Sequence, residues 1–97
     1  MKREDFIFTL GYMGNASLVD SRAKKKFASL STMELAEKGL YKPAFCSALY
    51  SGDSQELEQL MELLKDRFDL EEANVERFKR LFGVFGVPDN IGRVITV

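Results

Sequence analysis

The feature that most constrains the fold is a set of large apolar side chains between residues 54 and 68. These side chains are Leu57, Leu60, Met61, Leu64 and Phe68. Because positions three and four residues apart lie on the same side of an α-helix, they form one apolar stripe. The preceding Asp53-Ser54-Gln55-Glu56 has the composition of a helix N-cap. An amphipathic helix of this length must cover its stripe with other elements, so the chain needs a shared core.

Capping and termination signals predict further helices elsewhere, and we expect about four short helices in all. Asp20 or Ser21 can cap a helix that runs through residues 22–30, and residues 70–82 carry another apolar stripe. Ser31-Thr32-Met33-Glu34 has the form of a capping box, with a hydroxyl at the cap and a carboxylate three residues later. Gly39 suits the end of that helix, and Pro43 suits the first turn of the next.

The remaining segments have strand composition. Residues 6–12, Phe-Ile-Phe-Thr-Leu-Gly-Tyr, are rich in aromatic and β-branched residues, and Gly14-Asn15 is a turn sequence before residues 16–19. The segment 91–97 has the same character, and since an isolated hairpin is marginal in water, we expect it to pair as a third strand. The predicted fold is therefore α+β, with an N-terminal β-hairpin, about four short helices and a C-terminal strand that completes a small antiparallel sheet.

Length and composition predict a single compact domain over residues 1–97. The chain is 45% hydrophobic and 30% charged, which is typical of a globular protein, and its net charge is −1. No apolar run approaches the roughly 20 residues of a membrane span, and the N-terminus lacks the pattern of a signal peptide. The single cysteine, Cys46, cannot form an intrachain disulfide. These features together predict a cytoplasmic protein that makes no membrane contact.

The residue types present exclude several kinds of catalytic or metal site. The chain has no histidine, so it lacks the commonest general base and metal ligand, and no Cys–His or Ser–His pair can form within it. Cys46 lies near a predicted helix N-terminus, which would activate a thiol, but its apolar neighbours Phe45 and Leu49 favour a buried position. The glycine-containing segments 11–15 and 83–86 match no phosphate-binding pattern. We therefore expect no enzyme activity, no cofactor and no metal site.

Residues 30–50 contain a capped helix with Leu35-Ala36, a glycine at the turn and a second helix with inward apolar residues. This segment resembles a helix-turn-helix, in which the second helix enters the DNA major groove. The resemblance implies that base contacts come from near Lys42, Ala44 and Ser47. It also implies phosphate contacts from a basic segment, which comprises Arg22, Lys24, Lys25 and Lys26. Nucleic-acid binding is the alternative function.

The favoured function is a small non-catalytic protein-interaction module, whose partner is either another protein or a second copy of the chain in a homodimer. Strand alternation places Phe6, Phe8, Leu10 and Tyr12 on one face, and the connector 81–87 is unusually apolar. A core of this size has limited area to cover both, and an exposed apolar patch marks a partner surface. The residues predicted for that surface are Phe6, Phe8, Tyr12 and Phe85.

Overall fold

The computed structural model describes all residues from Met1 to Val97. Its helices are α1 (Arg3–Ile7), α2 (Ser21–Phe27), α3 (Thr32–Glu37), α4 (Tyr41–Ser51), α5 (Ser54–Arg67) and α6 (Val75–Phe82). Its strands are β1 (Thr9–Met13), β2 (Ala16–Val19) and β3 (Arg93–Thr96). The α+β class is confirmed, with a three-stranded sheet in the order β1-β2-β3.

The predicted helices form where their capping residues lie. Asp53 caps α5 by accepting hydrogen bonds from the backbone N–H groups of Gln55 and Glu56, and Leu60 and Leu64 are fully buried. Ser31 and Glu34 form the predicted capping box of α3. Gly39 ends that helix with a φ of +80°, a left-handed conformation that glycine adopts without strain.

The first element differs from the prediction, because residues 3–7 form α1 and the strand begins only at Thr9. Phe6, Ile7 and Phe8 are all buried, at 2%, 2% and 4% exposure. A strand would turn Ile7 away from the side that Phe6 and Phe8 share, whereas a helical turn lets three consecutive apolar residues enter the core. Burial therefore overrides the strand preference of these residues.

The third strand forms as predicted, but the prediction of a purely antiparallel sheet is wrong. β1 and β2 are an antiparallel hairpin across Gly14-Asn15, whereas β3 runs parallel to β2, so the sheet is mixed. β3 enters beside the hairpin turn, where the N–H groups of Gly92 and Arg93 donate to Asn15 O. Five helices separate β2 from β3, and a parallel pair requires a long crossover of this kind.

The core is built around α4, which packs against α1, α3 and α5. Ala44, Phe45, Cys46, Ser47 and Ala48 are five consecutive buried residues of this helix. Phe45 lies 6.2 Å from Phe78 between ring centroids, which ties α6 to the centre of the molecule. Such pairs contribute about 1 kcal/mol beyond the burial of their area.

Charged side chains tie the N-terminal helix to its neighbours. Arg3 donates from Nη1 to Ala28 O at 3.0 Å and from Nη2 to Leu30 O at 2.7 Å and Ser47 Oγ at 2.9 Å. The buried Asp5 accepts from Lys24 Nζ at 2.6 Å. These contacts join α1 to α2, to the segment that follows α2 and to α4.

Candidate interaction surface

The outer edge of the sheet at β3 has no partner strand. β3 is hydrogen-bonded to β2 on one side only, and all four of its residues are exposed. Native edge strands are usually blunted by lysine, proline, a bulge or a covering loop, because unpaired backbone groups attract other strands. The segment 93–97, Arg-Val-Ile-Thr-Val, carries one charge and no proline.

The backbone groups that face this open edge follow from the pairing with β2. The N–H of Arg93 donates to Asn15 O, and the N–H of Val97 donates to Val19 O at 2.9 Å. Because N–H and C=O groups alternate sides along a strand, the odd-numbered residues face β2. Val94 and Thr96 therefore direct their N–H and C=O groups to the open edge.

Apolar side chains are exposed on both faces of β3. Ser17 and Val19 of β2 are fully buried on one face, and their β3 partners are Val94 and Thr96. Leu18 pairs with Ile95 on the opposite face, where Ala16 is also buried at 2% exposure. Val94 is 42% exposed and Ile95 36% exposed. The sheet therefore carries an exposed apolar side chain on each face beside the open edge.

Of the four residues predicted for the partner surface, two are exposed and two are buried. Phe6 in α1 and Phe8 at the C-cap of α1 are both buried, so their prediction as surface residues is wrong. Tyr12 is 48% exposed and Phe85 69% exposed. Tyr12 lines a narrow cavity of about 80 Å³ with Phe6 at its floor, whereas Phe8 lines a different hollow. The cavity also contacts Gly83 and Val84, which precede Phe85.

The exposed apolar side chains are concentrated in β1, in β3 and in the segment after α6. Seven of them lie in these segments, and Val97 directly follows β3: Leu10, Tyr12, Met13, Phe85, Val87, Val94, Ile95 and Val97. The other three are Tyr50 of α4, Phe68 at the end of α5 and Leu81 of α6. The prediction of an apolar surface named residues of β1 and the connector but missed β3. Its strand composition and its single charge are the sequence features that could have identified an open edge.

The helix-turn-helix residues do not form a DNA-reading surface. The two helices exist as α3 and α4, but α4 is the central helix of the core. Ser47 is 3% exposed and accepts from Arg3 Nη2, with Thr32 Oγ1 at 2.7 Å from its Oγ, and Ala44 is fully buried. Lys42 is half-buried. A helix enclosed by three others cannot enter a major groove, so the prediction of base contacts at Ser47 is wrong.

The predicted phosphate-contacting residues lie on α2, at the surface. Arg22, Lys25 and Lys26 are exposed, whereas Lys24 is half-buried and occupied by its ion pair with Asp5. The ammonium of Lys26 lies 5.3 Å from the ring centroid of Phe27. No helix that could contact DNA bases lies beside them, and Arg22, Lys25 and Lys26 form a basic surface exposed to solvent.

Cys46 is a buried thiol whose environment favours the protonated form. Its side chain is 2% exposed, and burial raises the pKa of the thiol to about 11, against a weak opposing effect of the Lys42 charge. The nucleophilic form of cysteine is the thiolate. Burial also raises the pKa of Tyr12, which lines the cavity above Cys46. The prediction that Cys46 is buried is confirmed.

No group of three or more acidic or cysteine side chains has the arrangement of a metal site. Every buried side-chain nitrogen and oxygen atom has a hydrogen-bond partner, so none points unsatisfied toward a ligand. None of the helices has the combined length and apolarity needed to traverse a bilayer. Comparison with protein-family models, curated proteins and solved structures finds no match.

Proposed function

We propose that this chain is a non-catalytic protein-interaction module that pairs with a second copy of itself through the open edge of β3. The observation that carries the proposal is a strand bonded on one side only, with every residue exposed and with two residues directing backbone donors and acceptors outward. An open edge of this kind is satisfied by another strand, which adds to the sheet.

A two-fold axis perpendicular to the sheet supports pairing with an identical strand. Such an axis pairs two β3 strands antiparallel and keeps the faces that carry Ser17 and Val19 on the same side of the combined sheet. When the axis lies midway between Ile95 of one copy and Ile95 of the other, Val94 of each copy lies opposite Thr96 of the other. These are the residues whose N–H and C=O groups face the edge, so each donor meets an acceptor.

Charge and side-chain pattern agree with the same register. Arg93, the only charged residue of β3, lies opposite Val97 of the second copy and not opposite another arginine. Ile95 meets Ile95 of the second copy, which places two apolar side chains in contact across the junction. The product is one six-stranded sheet with β1 at both ends.

The non-catalytic part of the proposal rests on residue chemistry. The chain has no histidine, and its only cysteine is buried with a pKa of about 11. The carboxylates predicted as caps, such as Asp53, accept backbone hydrogen bonds at helix starts. Their positions are explained by helix capping alone.

The test is the oligomeric state of a variant that removes one outward donor. Val94→Pro deletes an N–H that faces the open edge, and proline is tolerated in edge strands where its missing N–H would face solvent. Val94→Thr is the matched control, because it keeps the N–H and a β-branched side chain. Sedimentation velocity from micromolar to millimolar concentration should give twice the 11.0 kDa monomer mass for the wild type and Val94→Thr, and the monomer mass for Val94→Pro.

Circular dichroism establishes whether Val94→Pro is still folded. A folded, monomeric Val94→Pro supports the proposal. A wild-type monomer over the whole concentration range would overturn it, as would a Val94→Pro protein that remains dimeric. Hydrogen exchange supplies a second readout, because the amides of Val94 and Thr96 should gain protection as the concentration rises, while those of Val87 and Gly86 should not.

A further inference from the structure

A second surface, separate from the sheet, lies between the end of α5 and α6. It is a hollow of about 460 Å³, which falls within the size range of ligand pockets. Its lining residues are Phe68, Leu70, Arg77, Phe78, Arg80 and Leu81. The buried ring of Phe78 forms its floor, and the more exposed Phe68 and Leu81 form its sides, at 40% and 63% exposure.

Two arginines without carboxylate partners border this hollow. The ion pairs of the protein are Lys24–Asp5, Arg67–Glu37 and Lys79–Glu76, so neither Arg77 nor Arg80 takes part in one. Neither guanidinium donates a side-chain hydrogen bond, and no acidic residue lines the hollow. Because the two arginines are three residues apart on one helix, their side chains lie on the same side of α6.

We propose that this hollow binds an acidic peptide segment of a partner protein, with a large apolar side chain over Phe78 and flanking carboxylates on Arg77 and Arg80. A guanidinium binds a carboxylate through two parallel hydrogen bonds, and that geometry gives orientation as well as attraction. The apolar sides require the peptide to supply an aromatic or aliphatic residue between its acids. The two arginines therefore select an acidic peptide, whereas the apolar lining alone would accept any large apolar side chain.

The α6 hollow and the open edge of β3 share no residue, so this proposal goes beyond the homodimer and does not depend on it. The supporting packing is firm on the inner side of α6, where Phe78 lies 5.7 Å from Phe82 and 6.1 Å from Phe68 between ring centroids. The floor of the hollow is thus preformed. Binding needs to order only the exposed arginine and leucine side chains.

The probe is a fluorescein-labelled twelve-residue synthetic peptide in which Phe and Leu alternate with Glu and Asp. Fluorescence anisotropy should show saturable binding to the wild-type protein that weakens as salt rises. Two control peptides test the two parts of the site. One replaces every carboxylate with the corresponding amide, and the other replaces Phe and Leu with Ala. Each control should bind at least about tenfold more weakly, as expected for the loss of charge-assisted hydrogen bonds or of a buried apolar side chain.

The matching protein variant is the double charge reversal Arg77→Glu with Arg80→Glu, and Arg22→Glu on α2 is its control. Both replace exposed arginines, so the fold should be retained, which circular dichroism checks. Loss of peptide binding in the double variant alone supports the proposal. Equal binding of the acidic and amide peptides, or undiminished binding by the double variant, would overturn it.

Two other occupants are outcomes of the same series. If decanoate displaces the peptide with a dissociation constant equal to that of the peptide, the hollow binds anionic amphiphiles and the peptide proposal is wrong. If the double variant becomes monomeric while Val94→Pro remains dimeric, the hollow is occupied by a second copy of this chain. That result overturns both proposals. A double variant that loses peptide binding but remains dimeric supports the peptide proposal and agrees with the homodimer.

Discussion

The protonation of Cys46 gives the stability of this protein a pH dependence that can be worked out from its environment. Burial raises the pKa of the thiol from 9.0 to about 11 in the folded protein, and the side chain is 2% exposed. Between those values the unfolded chain loses the thiol proton and the folded chain keeps it. The folded state therefore binds more protons, and its stability falls as the pH rises through this window.

The size of the effect follows from the same two pKa values. One titrating group changes the free energy of unfolding by at most about 1.4 kcal/mol per pH unit, so the loss is roughly 2.3 kcal/mol at pH 11 and approaches about 2.7 kcal/mol above it. Below pH 9 both states hold the proton, and the contribution of Cys46 is constant. The thiolate fraction at pH 8 should be about a hundredfold smaller than in an exposed thiol, because each pKa unit changes it tenfold.

Urea unfolding of the wild type and of Cys46→Ala at several pH values from 7.5 to 10.5 isolates this contribution. Both proteins share every other titrating group, and the methyl-sized cavity of the variant costs the same at each pH. The stability advantage of the wild type should be constant up to about pH 9 and then shrink with rising pH. Two curves that stay parallel up to pH 10.5 would refute the reasoning, as would rapid iodoacetamide labelling of native Cys46 at pH 8.

Three substitutions test the packing, the caps and the polar contacts of the fold, each by urea unfolding at pH 7.5. Leu64→Ala removes a fully buried side chain of α5 and should destabilise the protein by about 3 kcal/mol, and a loss below 1 kcal/mol would show that this helix does not belong to the core. Asp53→Ala removes the acceptor for two backbone N–H groups at the start of α5 and should cost about 1 kcal/mol, whereas Asp53→Asn should retain most of the capping. Ser47→Ala leaves Arg3 and Thr32 without a shared hydrogen-bond partner and should cost about 2 kcal/mol, so an unchanged midpoint would place these groups in contact with water.

The helices were predictable from the sequence because their determinants are local. Asp53 and Ser31 cap helices through backbone groups two or three residues away, and Gly39 ends one by adopting a positive φ. The burial of Leu60 and Leu64 follows from the spacing of the apolar stripe. Interactions within one or two helical turns leave a pattern that can be recognised without knowing the rest of the fold.

The site was less predictable, because it depends on which segments lie side by side. Phe6 and Phe8 belong to a segment of strand composition, yet both are buried where Phe6 lies in α1 and Phe8 caps the end of that helix. Ser47 has the position of a base-contacting residue in a helix-turn-helix, yet α4 is enclosed by its neighbours. The arginines of α6 are separated from Phe68 along the chain, and only the packing of α5 and α6 brings them around one hollow.

The sequence by itself determined the α+β class, the ends of most helices and the absence of histidine-based chemistry, since these depend on residue identity and on neighbours along the chain. The tertiary structure decided that β3 runs parallel to β2, that its far edge is open and that Val94 and Thr96 face it. Strand direction and edge exposure are set by contacts between residues more than seventy positions apart, such as that of Arg93 with Asn15. No local pattern encodes such a contact, because its free energy exists only once the intervening helices have packed.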